Sequence, residues 1–305
     1  MPVSAEADVH LPVVAIVGLG LIGGSLALAL REAGAVRELL ACDSSIDALN
    51  DGLARGVIDR ALDSPREALA QADVIVLCVP TVAAADLLAT LTQQAGQSGS
   101  HAIITDVASV KGGLQARMLA QHGAVPANVV LGHPIAGSER SGVAAARADL
   151  FRDHLTILTP ADNTSPAATA AVSALWESAG ASVVCMQVHE HDRVLAATSH
   201  LPHVLAYGLV DTLARSPHCD DIFRFAAGGF RDFTRIASSD PVMWRDVALA
   251  NREALLEAID DFAQHLSMLR AAIDAGDGDS LLQTFTAAKT ARDGFSALLS
   301  TRRPS

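Results

Sequence analysis

Residues 13–30 read VVAIVGLGLIGGSLALAL, and the fold follows from how this stretch divides. Val13 to Val17 is a five-residue apolar run with the length and β-branched content of a buried strand. It enters Gly18-Leu19-Gly20-Leu21-Ile22-Gly23 and then a helix of small residues. Gly18 permits a tight turn, Gly20 lets the backbone approach a pyrophosphate, and Gly23 lets the helix lie close on the strand. The N–H groups at the helix start, including those of Leu21 and Ile22, then point at an anion. Such a turn is weak evidence alone, since a glycine-rich loop can hold no ligand at all. Here a second apolar strand, Glu38 to Cys42, ends in Asp43, twenty positions after Gly23. A carboxylate there can bond both ribose hydroxyls of an adenosine. Strand, spacing and acid together indicate a dinucleotide site. Asp43 would repel a 2′-phosphate, and Ser44 and Ser45 offer no cation to hold one, so NAD is favoured over NADP.

The composition sets outer limits. At 305 residues the chain has room for one large or two medium domains. Half of it is apolar, yet polar or charged residues interrupt every run, so no membrane span is expected. Residues 1–12 lack the charged start and apolar core of a signal peptide. Cys42, Cys78, Cys185 and Cys219 lie far apart without metal or CxxC spacing, and three of them end or sit within strand-like runs. Buried thiols in a reducing cytoplasm fit that pattern. A net charge of −12 argues against nucleic acid, which needs a concentrated basic face. An acidic protein that binds anions must gather its few cations locally, which directs attention to arginines and histidines in loops.

Farther along, Ile46 to Arg55 reads as a helix, Val74 to Val79 as a buried strand stopped by Pro80, and Ala102 to Asp106 as a strand. Lys111 to His122 is helical, Val129 to Gly132 and Leu155 to Thr159 are strands, Pro166 to Ala179 is a helix and Ser182 to Met186 the last strand. This alternation predicts an α/β fold, a Rossmann-type doubly wound and mostly parallel sheet over residues 11–187, with its ligand beyond the carboxyl ends of the strands. From His189 onward helix formers dominate, predicting an all-α domain over residues 188–301. There Leu255, Ile259, Phe262, Leu266, Leu269 and Ile273 recur every three or four residues, a seam that should bury against another helix in a domain core or a dimer interface. A further helix carrying Leu281, Phe285 and Leu298 follows the Gly276–Gly278 turn.

Four polar stretches carry the candidate chemistry. In Asp106-Val107-Ala108-Ser109-Val110-Lys111, at a strand end, Ser109 either caps the next helix or faces a ligand. In HPIAGSERSG, residues 133–142, His133 follows a strand and faces the cleft, unless it is a satisfied loop histidine. In SHLPH, His200 and His203 lie one turn apart, and Pro202 should bend that helix and tip both rings toward a cleft. The pair resembles a metal site in spacing, but no third ligand is evident. His189 and His191 cannot share a helix face and read as hinge or surface. Finally, residues 228–244, GGFRDFTRIASSDPVMW, with Arg224 and Arg245 flanking Arg231 and Arg235, gather cations among Phe230, Phe233 and Trp244. Regularly spaced arginines usually form a solvated face. The interleaved aromatics suggest instead that one guanidinium sits in an apolar setting and grips a carboxylate with two bonds.

In order and spacing, the glycine turn, DVASVK, HPIAGSERSG, SHLPH and FRDFTRIASSDPVMW resemble the prephenate/arogenate dehydrogenase family of tyrosine biosynthesis, from Val13 to about Leu299. Ala108, Ser138 and Arg140 stand where that family more often has glycine, threonine and lysine. The resemblance implies NAD-dependent oxidative decarboxylation, with His133 as base and Ser109 holding the hydroxyl or the imidazole. Arg235, helped by His200 or His203, would fix a substrate carboxylate, with Ser138, Arg231 and Trp244 also in contact. Val79, Pro80 and Asp106 join Gly18, Gly20, Leu21, Ile22, Gly23 and Asp43 on the cofactor side. Prephenate is the expected substrate, with arogenate or both as the alternative; an acid such as Glu139 or Asp232 near the side chain would favour arogenate. A β-hydroxy-acid or pyrroline dehydrogenase, or an inactive NAD-binding sensor, shares the glycine turn but not the later motifs. The family also implies a homodimer through the helical domain.

Overall fold

The computed structural model describes residues 11–138 and 140–301, so Glu139 lies outside the described residues, as does the side chain of Leu298. Strand β1 (Leu11–Val17) passes through the glycine turn into α1 (Leu21–Glu32). There follow β2 (Val36–Cys42), α2 (Ile46–Ala54), β3 (Arg60–Ala61), α3 (Pro65–Gln71), β4 (Val74–Leu77), α4 (Thr81–Ser98), β5 (Ile103–Asp106) and α5 (Gly112–His122). Then come β6 (Val129–Pro134), β7 (Leu155–Thr159), α6 (Pro166–Ser178) and β8 (Ser182–Cys185). Only helices follow: α7 (Val188–Leu195), α8 (Leu201–Ala214), α9 (Cys219–Arg224), α10 (Gly228–Thr234), α11 (Pro241–Ala250), α12 (Arg252–Ala275) and α13 (Gly278–Thr301). The change from alternation to helices falls where the sequence places it. The chain divides into two compact units, one ending at Asn251 and one starting at Arg252.

The eight strands form one sheet in the order β3-β2-β1-β4-β5-β6-β7-β8. All neighbours are parallel except β6 and β7. Register aligns Val17 with Cys42, Val17 with Leu77, and Leu77 with Asp106. The residues after them, Gly18, Asp43, Cys78 and Val107, therefore emerge along one edge. The strand order reverses between β1 and β4, the switch point where such sheets bind ligands.

Period-two alternation along β1 supplies both core layers. Val14 and Ile16 pack with Leu26 and Leu30 of α1 and Trp176 of α6. Val13, Ala15 and Val17 pack with Leu88 of α4 and Met118 of α5. Each fully buried side chain of this size contributes about 1.5–3 kcal/mol, so the glycine turn projects from a rigid base.

Two expectations change here. Strand β6 continues to Pro134, so His133 lies within a strand, opposite Ile157 of β7, and not in a loop after it. The antiparallel ladder with β7 carries the extra residues. Cys42 is buried, and burial, with Asp43 and Glu67 beside it, pushes its thiol up to about 12. Cys185, at the end of edge strand β8, is exposed and not a buried thiol. In the second unit, the apolar seam of α12 is only partly covered: Leu255 is buried, but Leu266 and Ile273 are 54% and 65% exposed, and Phe285 of α13 is 57% exposed. Among the described residues, no helix is long and apolar enough to cross a membrane.

Candidate active site

At the switch point the glycine turn is shaped for close approach. Gly18 has φ +99°, and a Cβ there would fall 2.4 Å from the Cys78 carbonyl oxygen. A Cβ at Gly23 would fall 2.2 Å from the Gly18 oxygen, so α1 can pack this tightly only on glycine. Around Gly20, its chain neighbours aside, nothing among the described residues lies within 4 Å of a Cβ position, which leaves its backbone open to an incoming group. No side chain caps the start of α1, so its first N–H groups and helix dipole are available to an anion. Asp43 Oδ2 accepts from Leu19 N at 2.6 Å and Oδ1 from Ser45 N at 2.8 Å. Each oxygen keeps a second acceptor site for a ribose hydroxyl. Val79 borders Gly18, and exposed Pro80 begins the turn into α4. These residues fit a dinucleotide.

Asp106 does not belong with them. It is fully buried, and accepts from Lys111 Nζ, from Ala108 N at 2.9 Å and from Gly132 N at 3.2 Å. Lys111, also fully buried, donates in addition to Gly132 O at 2.6 Å. Burial depresses the Lys111 ammonium and the Asp106 carboxylate opposes that. The pair ties β5, the start of α5 and β6 together beneath His133, so Asp106 shapes the site from below.

His133 is almost fully buried, and its Nδ1 lies 2.9 Å from Nε2 of His191. His191 Nδ1 lies in turn 2.7 Å from Oδ1 of Asp192. Asp192 accepts from Lys111 N at 2.9 Å and Gly112 N at 2.7 Å, capping α5. Two expectations are thereby corrected. His191 is fully buried inside the site, not at a surface hinge. Ser109 does not cap α5; it is half-buried and its hydroxyl makes no hydrogen bond among the described residues. Burial, then the nearby His191, Lys111 and His200, each of which disfavours a second positive charge, hold the His133 imidazole well below its usual range, so it rests neutral. Burial acts to raise the Asp192 carboxyl, but its bonds from His191, Lys111 N and Gly112 N prevail and hold it below the usual range.

The helical side begins at a π-turn, Ala196–His200, followed by α8 with Pro202 in its first turn. The irregularity precedes the proline, where a missing N–H costs no helical bond. Asn251 Nδ2 donates to Asp192 O at 2.7 Å and faces His200 Nδ1 at 3.0 Å. That amide is a donor, so His200 Nδ1 accepts and the ring proton lies on Nε2, which is buried without a partner among the described residues. Burial lowers the His200 imidazole to about 4. His203 has the opposite arrangement: its Nδ1 donates to Ser199 O at 2.9 Å. Its ring stacks on Trp244, centroids 3.4 Å apart and 18° from parallel. The two walls belong to a pocket of about 240 Å³ that Tyr207 and Pro241 also line. Trp244 Nε1 is likewise a buried donor without a partner among the described residues.

The arginines separate by their surroundings. Arg231 pairs with Asp232 at 3.1 Å, Arg245 with Asp246 at 2.7 Å, and Arg224 lies over Phe225. Arg235 is exposed, and its charge adds to burial in lowering the His203 imidazole. Ser138 is exposed and its Oγ accepts from Arg140 N at 3.2 Å. Contact by contact, His133, His191, Asp192, Asn251, His200, Trp244 and His203 form one continuous run, and the Arg235 charge acts on His203. Sequence reasoning missed His191, Asp192 and Asn251 as members of it, and Lys111 beside it.

Two family models match. Residues 26–185 match the prephenate dehydrogenase nucleotide-binding domain, and residues 187–287 the prephenate dehydrogenase dimerization domain. The chain is 38% identical to a cyclohexadienyl dehydrogenase of Zymomonas mobilis, over 92% of this chain and 94% of that protein. It is 36% identical to a prephenate dehydrogenase of Bacillus subtilis, over 91% of this chain and 74% of that one. Among solved structures, prephenate dehydrogenase from Aquifex aeolicus in complex with hydroxyphenyl propionate and NAD+ superposes with a TM-score of 0.83 at 33% identity, covering 93% of this chain and 98% of that one. A dinucleotide turn, a buried histidine at the end of β6 and the matched length of both halves lead to one conclusion: the chain belongs to the prephenate dehydrogenase family.

Proposed function

We propose that the protein oxidises prephenate with NAD, releasing carbon dioxide and 4-hydroxyphenylpyruvate. The observation that carries this reading is the run of contacts from His133 to His203, with the Arg235 charge acting on His203, which offers a neutral base and a cation for a carboxylate. When bound, NAD supplies the hydride acceptor, held by the Gly20 backbone, the first turn of α1 and Asp43. His133 takes the proton of the C4 hydroxyl on Nε2, and Ser109 aligns that hydroxyl. His200 Nε2–H, Trp244 Nε1–H and Arg235 hold the two carboxylates, and Arg231 and Ser138 stand at the rim. Aromatisation drives the reaction, so orientation and one proton transfer are what the protein must supply.

Prephenate is favoured over arogenate because the Asp232 carboxylate is already answered by Arg231 on its own helix. Residues 11–187 act as the nucleotide-binding part and residues 188–301 as the helical substrate and dimerisation part, a division the two family matches support. A homodimer would cover the exposed Leu266, Ile273 and Phe285, and a cytoplasmic enzyme fits the free cysteines. NADH formation, followed by absorbance with prephenate or arogenate and NAD or NADP, tests the reading. Turnover with prephenate and NAD, reduced at least 100-fold by His133→Asn, is expected on the scale of general-base catalysis. Absence of NADH with both substrates would overturn it.

A further inference from the structure

Beyond the base itself, the geometry points to His191 and Asp192 as positioning residues: they fix His133 as the Nδ1–H tautomer and share the charge it acquires. This deepens the assignment of His133 as base and rests on it. An ionised carboxylate only accepts, so the 2.7 Å contact from Asp192 Oδ1 to His191 Nδ1 requires a proton on that nitrogen. A neutral His191 then presents a bare Nε2. Across 2.9 Å, His133 Nδ1 must be the donor, which leaves Nε2 of His133 with its lone pair. That is the atom a substrate hydroxyl can protonate.

The end of the chain is anchored. Asp192 cannot turn away because both its oxygens also hold N–H groups at the start of α5, from Lys111 and Gly112. Its own backbone oxygen is held by Asn251. The groups facing His133 are therefore His191 and Asp192 from α7, Lys111 ahead of α5 with its partner Asp106 from β5, and His200 from the π-turn. Lys111 and His200 oppose a positive His133, and the Lys111 charge is matched by Asp106. Among the described residues facing the ring, Asp192, acting through His191, is the negative group that backs a positive His133.

The proton step balances within these residues. The substrate O–H bond breaks and an N–H bond forms at His133 Nε2. The resulting imidazolium donates from Nδ1 to His191 Nε2, which is backed by the Asp192 carboxylate. The same proton is available to the phenolate oxygen left by decarboxylation, so the relay returns to its starting state. If both nitrogens of His191 carried protons instead, His133 Nδ1 would accept and its Nε2 would carry hydrogen, unable to act as base.

The test compares His191→Asn and His191→Gln in the full-length enzyme. Asparagine keeps a donor toward Asp192 but removes the acceptor for His133; glutamine places an acceptor near the position of Nε2. With prephenate and NAD, His191→Asn is expected to lower kcat about 100-fold, since a wrong tautomer disables a base, while KM changes less than about threefold. His191→Gln is expected to recover about tenfold of that loss. Nitrogen-15 spectra of histidine-labelled protein with NAD read the tautomer without turnover: Nδ1 of His133 should be protonated and Nε2 bare. A proton on Nε2, or equal kcat in the two variants, overturns the inference even where His133→Asn is inactive. An active His133→Asn would instead overturn the base assignment beneath it.

Discussion

The amide of Leu19, inside the glycine turn, donates to Oδ2 of Asp43 across 2.6 Å. The acid that ends β2 thus holds the loop that ends β1, and the two halves of the nucleotide site move as one. Replacing Asp43 by alanine should remove a ribose acceptor and loosen the turn together. With a charge-assisted bond worth about 1.5–3 kcal/mol, KM for NAD should rise about 10- to 100-fold. NADP should lose less, because the carboxylate that repels its 2′-phosphate is gone. Steady-state kinetics with both cofactors check this; an unchanged KM for NAD would remove Asp43 from the cofactor site.

Arg235→Gln should raise KM for prephenate about 10- to 100-fold with a smaller effect on kcat, because it deletes binding shared by ground and transition states. The variant also removes the positive charge beside His203, so the His203 imidazole should titrate higher than in the parent. Kinetics and histidine NMR titration read the two effects separately. A kcat loss without a KM change would place Arg235 at the reacting carbon.

Much of this site was legible as sequence, and the gaps have physical causes. The stretch from Val13 to Asp43 carried its own evidence because strand, glycines and acid are local and their spacing is fixed by one β-α-β unit. The i,i+2 spacing of His189 and His191 hides the role of His191, because what places it in the site is long-range: His133 on β6, and the N–H groups ahead of α5 that hold its α7 neighbour Asp192. Asp106 ends its strand as a cofactor acid would. Only the fold shows that Lys111, five residues later, turns back beneath the sheet to meet it. The reach of β6 past Gly132 depends on the antiparallel partner β7, a long-range pairing that period-two patterning does not report. Helices α3 and α4 are rich in alanine, which blurs the apolar stripe on which periodicity depends.

The Lys111–Asp106 pair makes a distinct prediction about stability. Removing one member of a buried ion pair leaves the other charge uncompensated, at a cost of about 3–5 kcal/mol. Lys111→Met should lower the urea midpoint accordingly. Asp106→Asn combined with Lys111→Met should recover part of that loss, since no isolated charge remains in the interior. A Lys111→Met variant within about 1 kcal/mol of the parent would mean that water reaches the pair and that it does not brace β5 against β6.

Stability should also fall in mild acid, and His200 supplies the sign. Its imidazole titrates near 4 in the folded chain because burial disfavours the charged ring; unfolded, it titrates at about 6.5. Between those values the unfolded chain binds the extra proton, so stability rises with pH across the window and is full above about 6.5. From pH 7.5 down to about 5, His200 alone accounts for a loss of about 2 kcal/mol. His133, shifted in the same direction, adds to the loss. Urea unfolding at a series of pH values, for the parent and for His200→Gln, isolates the contribution. The glutamine keeps a side-chain amide near Asn251 but cannot ionise, so its stability curve should be flatter over this range. Parallel curves would show that His200 is charged, or open to water, in the folded protein.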